Sequence, residues 1–321
     1  MNEEFRKELE NEIEKPEWKK LKGMFDGKEY KFNGNEVVEE ILHLPRVGRL
    51  DVVVQISHVC VNKECLKGTQ FRATEFAGKV IKVGRDVSSC RVDNFVIGRD
   101  LAQNCFKEIV VTNFENIQRE EKHSPNDLIN TLGNMSTAVL PYETLQYVTV
   151  RPSDNVLILG TGVVAQKLYE MLDDKHIRSF IVVPDKMVRK YTTMGYNAVS
   201  IQVVDEVFVD KADVIFDMSN KFEVLDNIRT STTYIYLNCD NPLGDHLREN
   251  ETRVLSDVKG HATFMSVKCP SNSEAFFKSH NKAKYLLRPH IHSVVNIVDK
   301  KLVLEVLIAQ QQEDETVIIC L

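Results

Sequence analysis

Between Asn155 and Ala165 the chain reads Asn155-Val-Leu-Ile-Leu-Gly160-Thr161-Gly162-Val163-Val164-Ala165, and no other stretch restricts its possible folds as much. Residues 156–159 are an unbroken apolar run, the pattern of a strand buried on both faces. The run stops at Gly-x-Gly-x-x-Ala, and residues 163–172 then carry apolar side chains at helical spacing. Strand, tight turn and helix in that order begin a βαβ crossover, which commits the following chain to a parallel sheet. A dinucleotide pyrophosphate needs the same order. Gly160 permits the sharp turn, Gly162 lets phosphate approach the backbone, and Ala165 keeps the helix close to the strand. The free N–H groups at the helix start face the anion.

The chain after Asn155 keeps this alternation. Strands are expected at 156–159, 180–183, 213–216, 233–237 and 262–267, with helices around 163–172, 187–194 and 223–229. Residues 204–213 leave too little chain for a full crossover helix. Upstream, from about Leu21 to Val111, the texture is β. Short alternating runs such as 51–57, 76–84 and 95–98, punctuated by Gly78, Gly84 and Gly98, suggest a small barrel. Helical character begins at Ser124-Pro125 and continues over 136–148. The last part gives a helix at 273–286, a strand at 290–298, a helix near 302–311 and an apolar end at 316–321. At the start, Phe5, Leu9 and Ile13 lie four apart in a charged stretch that Pro16 ends. This is read as a surface helix docked on the body rather than a partner-binding one.

Composition narrows the function classes. A net charge of −6 argues against nucleic acid or an anionic membrane as main partner. No apolar run approaches the roughly 20 residues of a membrane span. The acidic opening Met-Asn-Glu-Glu-Phe has no signal-peptide core, so a cytoplasmic protein is expected. The seven cysteines are scattered and odd in number, which fits a reducing compartment better than a disulfide framework. Cys60-x4-Cys65 with His58, and His290-x-His292, are the only clusters that suggest a metal. Both lack the four convergent ligands of a structural zinc site.

Taken together, these residues resemble the medium-chain dehydrogenase/reductase superfamily over nearly the whole chain after Leu21. Glu75-Phe-Ala-Gly78-Lys-Val-Ile-Lys-Val-Gly84 is similar to its Glu-x-x-Gly-x-Val-x-x-Val-Gly stretch. Val61-Asn62, Tyr142-Glu-Thr-Leu145, Arg151-Pro-Ser-Asp-Asn155 and Leu287-Arg288-Pro289 fall in register with it. The resemblance implies an α/β chain: a GroES-like β-barrel domain with an inserted Rossmann domain, a doubly wound parallel sheet. Its boundaries would be a charged N-terminal helix at 1–20, the barrel at 21–135 and 268–321, and the Rossmann domain at 136–267. The zinc-ligand positions of that family look like Asn62, Thr74 and Met135, none suited to a catalytic zinc. The chain therefore looks like the zinc-free quinone oxidoreductase (zeta-crystallin-like) branch, with a divergent quinone oxidoreductase-like group as its nearest likeness.

That branch implies zinc-independent hydride transfer from NADPH to a quinone or enone, with a small-molecule substrate as partner and a homodimer through an edge strand. Asn62 would hydrogen-bond a carbonyl oxygen as charge develops there; the other reading is a turn residue bonding its own backbone. Cys60, beside it, is read as a buried structural thiol. The ribose position is mixed. An NAD enzyme ends its second strand with an acid, but here Pro184 holds that place and Asp185 follows. Lys186, Arg189 and Lys190 offer charge to a 2′-phosphate or form a solvated helix face. NADPH is preferred, with NADH kept open.

Several family features are altered. The Gly-Asp-x-Val turn has become Val92-Asp93-Asn94-Phe95-Val96, Gly-His-Glu has become Ala73-Thr74-Glu75, and the loop from Cys65 to Thr74 is short. An alternative to the reductase therefore stands: a catalytically silent dinucleotide-fold protein acting in binding or redox sensing.

Overall fold

The structure is a computed structural model that describes residues 27–62, 65, 71–121, 125–207, 211–218, 231–237, 263–267, 270–283, 291–310 and 316–321. The expected N-terminal helix, the helix at 223–229 and the Leu287-Arg288-Pro289 stretch lie outside them.

A hairpin of β1 (Lys28–Phe32) and β2 (Val37–Ile41) comes first. β3 (Asp51–Val61), β4 (Glu75–Val83), β5 (Phe95–Arg99), β6 (Ile109–Asn113) and β7 (Ile117–Arg119) follow as antiparallel neighbours. Two helices, α1 (Pro125–Gly133) and α2 (Met135–Tyr147), lead out of this sheet. Then strand and helix alternate: β8 (Val156–Leu159), α3 (Val163–Asp174), β9 (Ser179–Val183), α4 (Asp185–Thr193), β10 (Ala198–Ser200), α5 (Ile201–Val207), β11 (Val214–Asp217), β12 (Thr233–Leu237) and β13 (Thr263–Val267). The chain closes with α6 (Ser273–Ala283), β14 (Ile291–Asn296), α7 (Lys300–Gln310) and β15 (Thr316–Cys320).

β3 organises the antiparallel sheet. Its β-branched sequence suits a strand covered on both sides. Val52, Val54 and Ile56 enter the main core, after which the inward set switches to Val59 and Val61. The switch coincides with a register shift between Ile56 and His58, so one extra residue moves the period from even to odd positions. The outward residues are buried too. Val53 packs with Ile109 and Val111, and Cys60 packs with Ala77, Ile97, Ile318 and helices α1, α2 and α6. Each fully buried Val, Ile or Leu here contributes about 1.5–3 kcal/mol of burial free energy. The sheet runs β14-β15-β3-β4-β5-β7, with β6 also on β3. The chain's last strand therefore pairs directly with its third.

The second sheet is wholly parallel, in the order β10-β9-β8-β11-β12-β13. Even positions of β8 and odd positions of β9 meet α3 and α4 on one face. Leu157, Leu159 and Val182 meet Val204 of α5 on the other. Helices thus cover both faces, as a doubly wound sheet requires. The chain order reverses direction at β8, so ligands of such folds bind outside the carboxyl end of this strand. The crossover after β10 is carried by the short α5, which fits into the limited chain before β11.

α2 joins the two sheets. Met135 and Val139 pack into the antiparallel layer, while Ala138 packs with Met171 of α3 and Ala283 of α6. Ser279 of α6 donates a hydrogen bond to the Glu143 carboxylate. Gln118 and Asn281 exchange two carboxamide hydrogen bonds, 2.8 and 2.9 Å, and fasten α6 to β7.

Candidate functional site

β8 ends at the turn that the sequence singles out. Gly160 has φ +140° and Gly162 φ +103°, backbone conformations that side-chain-bearing residues rarely adopt. A Cβ on Gly160 would lie 3.1 Å from the Met218 Cβ, because Met218 extends the β8–β11 pairing by donating its N–H to Leu159. Gly162 is the N-cap of α3 and offers no side-chain cap, so the first N–H groups of the helix are left for an external acceptor. Thr161 and Val164 are half-buried, while Val163 and Ala165 are buried in the helix–sheet packing. Gly160 to Ala165 thus form the turn after β8 and the first residues of α3.

One donor of the turn is already taken. The Gly162 N–H donates to the hydroxyl of Tyr191, 2.7 Å away, and Gln166 Nε2 lies 3.4 Å from the same oxygen. Tyr191 is the single buried residue of α4. This contact leaves the N–H groups that follow Gly162, at the start of α3, as the free ones. Twenty-nine residues separate the partners, so local sequence pattern carries no sign of it.

At the ribose side β9 ends at Val183, Pro184 is the N-cap of α4, and Asp185 and Lys186 are exposed in its first turn. The carboxylate thus starts the helix instead of ending the strand, one residue later than an NAD enzyme places it. Arg189 and Lys190 are exposed on the same helix. Below the turn, Asp217 pairs with Leu159 in register and is fully buried, accepting a short hydrogen bond from the Tyr234 hydroxyl. Burial and the Asp217 charge push the Tyr234 phenol far above its ordinary range.

A second candidate corner lies where β3 ends and β4 begins. Cys60 pairs with Glu75, and Ser136 at the start of α2 donates its N–H to Glu75, 3.1 Å away. This register brings Asn62, Thr74 and Met135 to one end of the sheet. Asn62 is 8% exposed. Its carbonyl accepts from the Cys65 N–H at 3.0 Å, and its Oδ1 accepts from the Cys65 thiol at 3.5 Å. The donor of its carboxamide is Nδ2, the group that would face a substrate oxygen. Burial pushes the Glu75 carboxyl up, partly opposed by Arg99 3.8 Å away. The Arg99 guanidinium also lies 4.2 Å from the Phe276 ring centre and donates to the Pro270 carbonyl at 2.7 Å.

A carboxamide, a hydroxyl and a thioether do not fit a catalytic zinc, which takes thiolate and imidazole. Among the described residues no group of His, Cys, Asp and Glu could hold a metal. Burial, reinforced by the Glu75 charge, pushes the Cys60 thiol well up, so it stays protonated and poorly nucleophilic. None of the five described cysteines is in a disulfide. His58 sits beside Ser57, 2.8 Å from its hydroxyl, and burial lowers its basicity. No helix among the described residues is long and apolar enough to cross a membrane.

No family model matches the chain, and no curated protein matches it in sequence. Solved structures do match. A quinone oxidoreductase from Coxiella burnetii superposes with a TM-score of 0.70 at 14% identity, covering 92% of this chain and 99% of its own. The JamJ enoyl reductase gives 0.71 at 15% identity, over 92% and 99%. A cobalt- and zinc-bound thermostable alcohol dehydrogenase from Pyrobaculum aerophilum gives 0.69 at 13% identity, over 92% and 100%. One of the three carries metal, so the shared fold leaves metal use to the side chains at the corner of Asn62. The chain thus shares the fold of these proteins, a GroES-like antiparallel unit joined to a Rossmann-like, doubly wound parallel sheet.

Proposed function

We propose that the chain binds a nicotinamide dinucleotide at the turn of residues 160–165 and acts as a zinc-independent oxidoreductase on a quinone or enone carbonyl compound. One observation carries this reading: an uncapped helix N-terminus, entered through two glycines at positive φ, at the carboxyl end of the strand where the parallel sheet reverses its order. A bound nicotinamide would supply the hydride. The chain's own part is to hold the phosphates at the start of α3, to place the ribose beside Asp185 and Lys186, and to offer Asn62 Nδ2 to the substrate oxygen. Lys186, Arg189 and Lys190 favour a 2′-phosphate, hence NADPH over NADH. The quinone oxidoreductase and enoyl reductase that share the fold support that substrate class.

A second reading rests on the Cys65–Asn62 contact. If Asn62 serves only to close its turn, the protein binds dinucleotide without turnover and acts as a nucleotide-sensing partner. Nicotinamide fluorescence during titration with NADPH and NADH separates the cases. We expect NADPH to bind and to be oxidised by ortho-quinones or enones. Binding without oxidation supports the sensor, and no binding at high micromolar nucleotide defeats both.

The site itself is tested by Thr161→Asp. Gly162 has the less suitable φ for such a test, because Asp there would add backbone strain to charge. Thr161 is free of that strain, so its carboxylate acts by repulsion alone. Saturating NADPH at about 100 times its Kd stabilises the wild type by about 2.7 kcal/mol, seen as a rise in Tm. Thr161→Asp should show no such rise.

A further inference from the structure

The buried hydroxyl of Tyr191 gives the dinucleotide site a part that the glycine turn alone does not supply. Tyr191 is 1% exposed, and its ring sits among Tyr196, Ala165, Leu168 and Val183 between α3, α4 and the sheet. Tyr196 touches two other tyrosines of this layer, Tyr191 at 5.9 Å and Tyr169 at 5.2 Å between ring centres. Held in this way, the phenol oxygen meets the Gly162 N–H from the core side, where no phosphate can reach. Gly162 at φ +103° holds a conformation that glycine reaches far more readily than other residues, and the bond fixes that conformation before any ligand arrives.

The same helix bears the ribose end. Asp185 and Lys186 open α4, and Tyr191 lies six positions further along it. A single rigid helix therefore connects the residues beside the ribose to the backbone of the phosphate turn. The pinned Gly162 N–H is withdrawn from ligand binding, and the Val163 and Val164 N–H groups, at the open start of α3, remain to face the anion.

We propose that Tyr191 is a positioning residue for the dinucleotide. Its hydroxyl fixes the turn in the phosphate-accepting shape and sets its distance from the ribose-reading start of α4. This rests on the dinucleotide reading above. A preformed turn spares the ligand the ordering cost, so the loss of the bond appears mainly as weaker binding of whatever spans the turn.

The test is Tyr191→Phe in the full chain, which keeps the ring and removes the oxygen. Its affinity is measured for NADPH, or NADH if that is the nucleotide bound, and for the matching fragment without pyrophosphate, 2′-AMP or adenosine. Tyr169→Phe is the control, since it removes a hydroxyl from the same cluster whose partner is the Asn197 N–H instead. We expect Tyr191→Phe to weaken the dinucleotide about tenfold, with the fragment within about twofold and the control unchanged. In the unliganded variant, hydrogen exchange at Gly162 should quicken while the β8 amides stay protected.

Dinucleotide affinity within twofold of wild type, with Gly162 exchange unchanged, overturns the role of Tyr191 and leaves the binding site standing. Equal weakening of dinucleotide and fragment, or β8 amides that exchange faster, overturns it in favour of a general packing role. A wild-type chain that binds neither nucleotide overturns the dinucleotide reading itself.

Discussion

Lys167 lies fully buried on α3, and among the described residues its ammonium group has one carboxylate near it, Glu170 at 3.8 Å. Its Nζ makes no hydrogen bond with the described residues. Burial outweighs the Glu170 charge and pulls the amine from 10.5 down to about 8. Because the folded value is the lower one, the cost of the buried charge is complete below pH 8 and disappears as pH rises from 8 to 10.5, where the unfolded chain still holds its proton. Lys167→Met should therefore stabilise the fold at pH 7 by about 1–3 kcal/mol. Chemical denaturation at several pH values checks this, since the advantage must shrink toward pH 10. A constant difference would mean that the fold holds the proton as firmly as the unfolded chain does, so that burial has not lowered the amine. Residues of this kind mark the limit of reading a sequence. Gly160, Gly162 and Ala165 announce themselves by spacing, and Asp185 by its displacement past Pro184. Tyr191 and Lys167 do not, because a tyrosine on a charged helix and a lysine on an amphipathic one look solvated until the packing partners are known. Asn62 was legible as a position, while its thiol partner Cys65 was not.

Among elements, the parallel sheet was the most legible part. Its strands at 156–159, 180–183, 213–216, 233–237 and 262–267 fall within a residue of β8, β9, β11, β12 and β13, because buried parallel strands are nearly continuous apolar runs. β10 has three residues and α5 seven, too short for any periodicity to show, and neither was expected. In the antiparallel sheet the alternation marked β3 and β4, but the bulge that reverses the inward set of β3 is a tertiary feature. Gly78 pairs with Ile56 beside that bulge, and a Cβ there would overlap the Gln55 carbonyl. Neither neighbour is a flexible side chain end, so the backbones must part. Gly78→Ala should cost about 1–3 kcal/mol, read as a lower urea midpoint. An unchanged midpoint would show that the two strands do not approach so closely.

At the scale of the whole molecule, the parallel sheet draws on one continuous stretch of chain, whereas the antiparallel sheet gathers strands from both ends. β15 lies between β14 and β3, with Val317 paired to Val61 and Cys320 to His58. The two partners of this pairing stand more than 250 positions apart in sequence, and an encounter over that separation is slow, because loop closure must precede the contacts that reward it. During synthesis, the β8–β13 sheet has all its strands and can assemble while β3, paired with β4 and with β6 over Asp51–Gln55, still waits with its 58–61 edge unpaired. An unpaired, β-branched edge invites association with other chains. For this protein the period of greatest exposure to aggregation is therefore the interval between the emergence of β3 and the arrival of β15, a vulnerability set by the order of synthesis and absent from the finished fold.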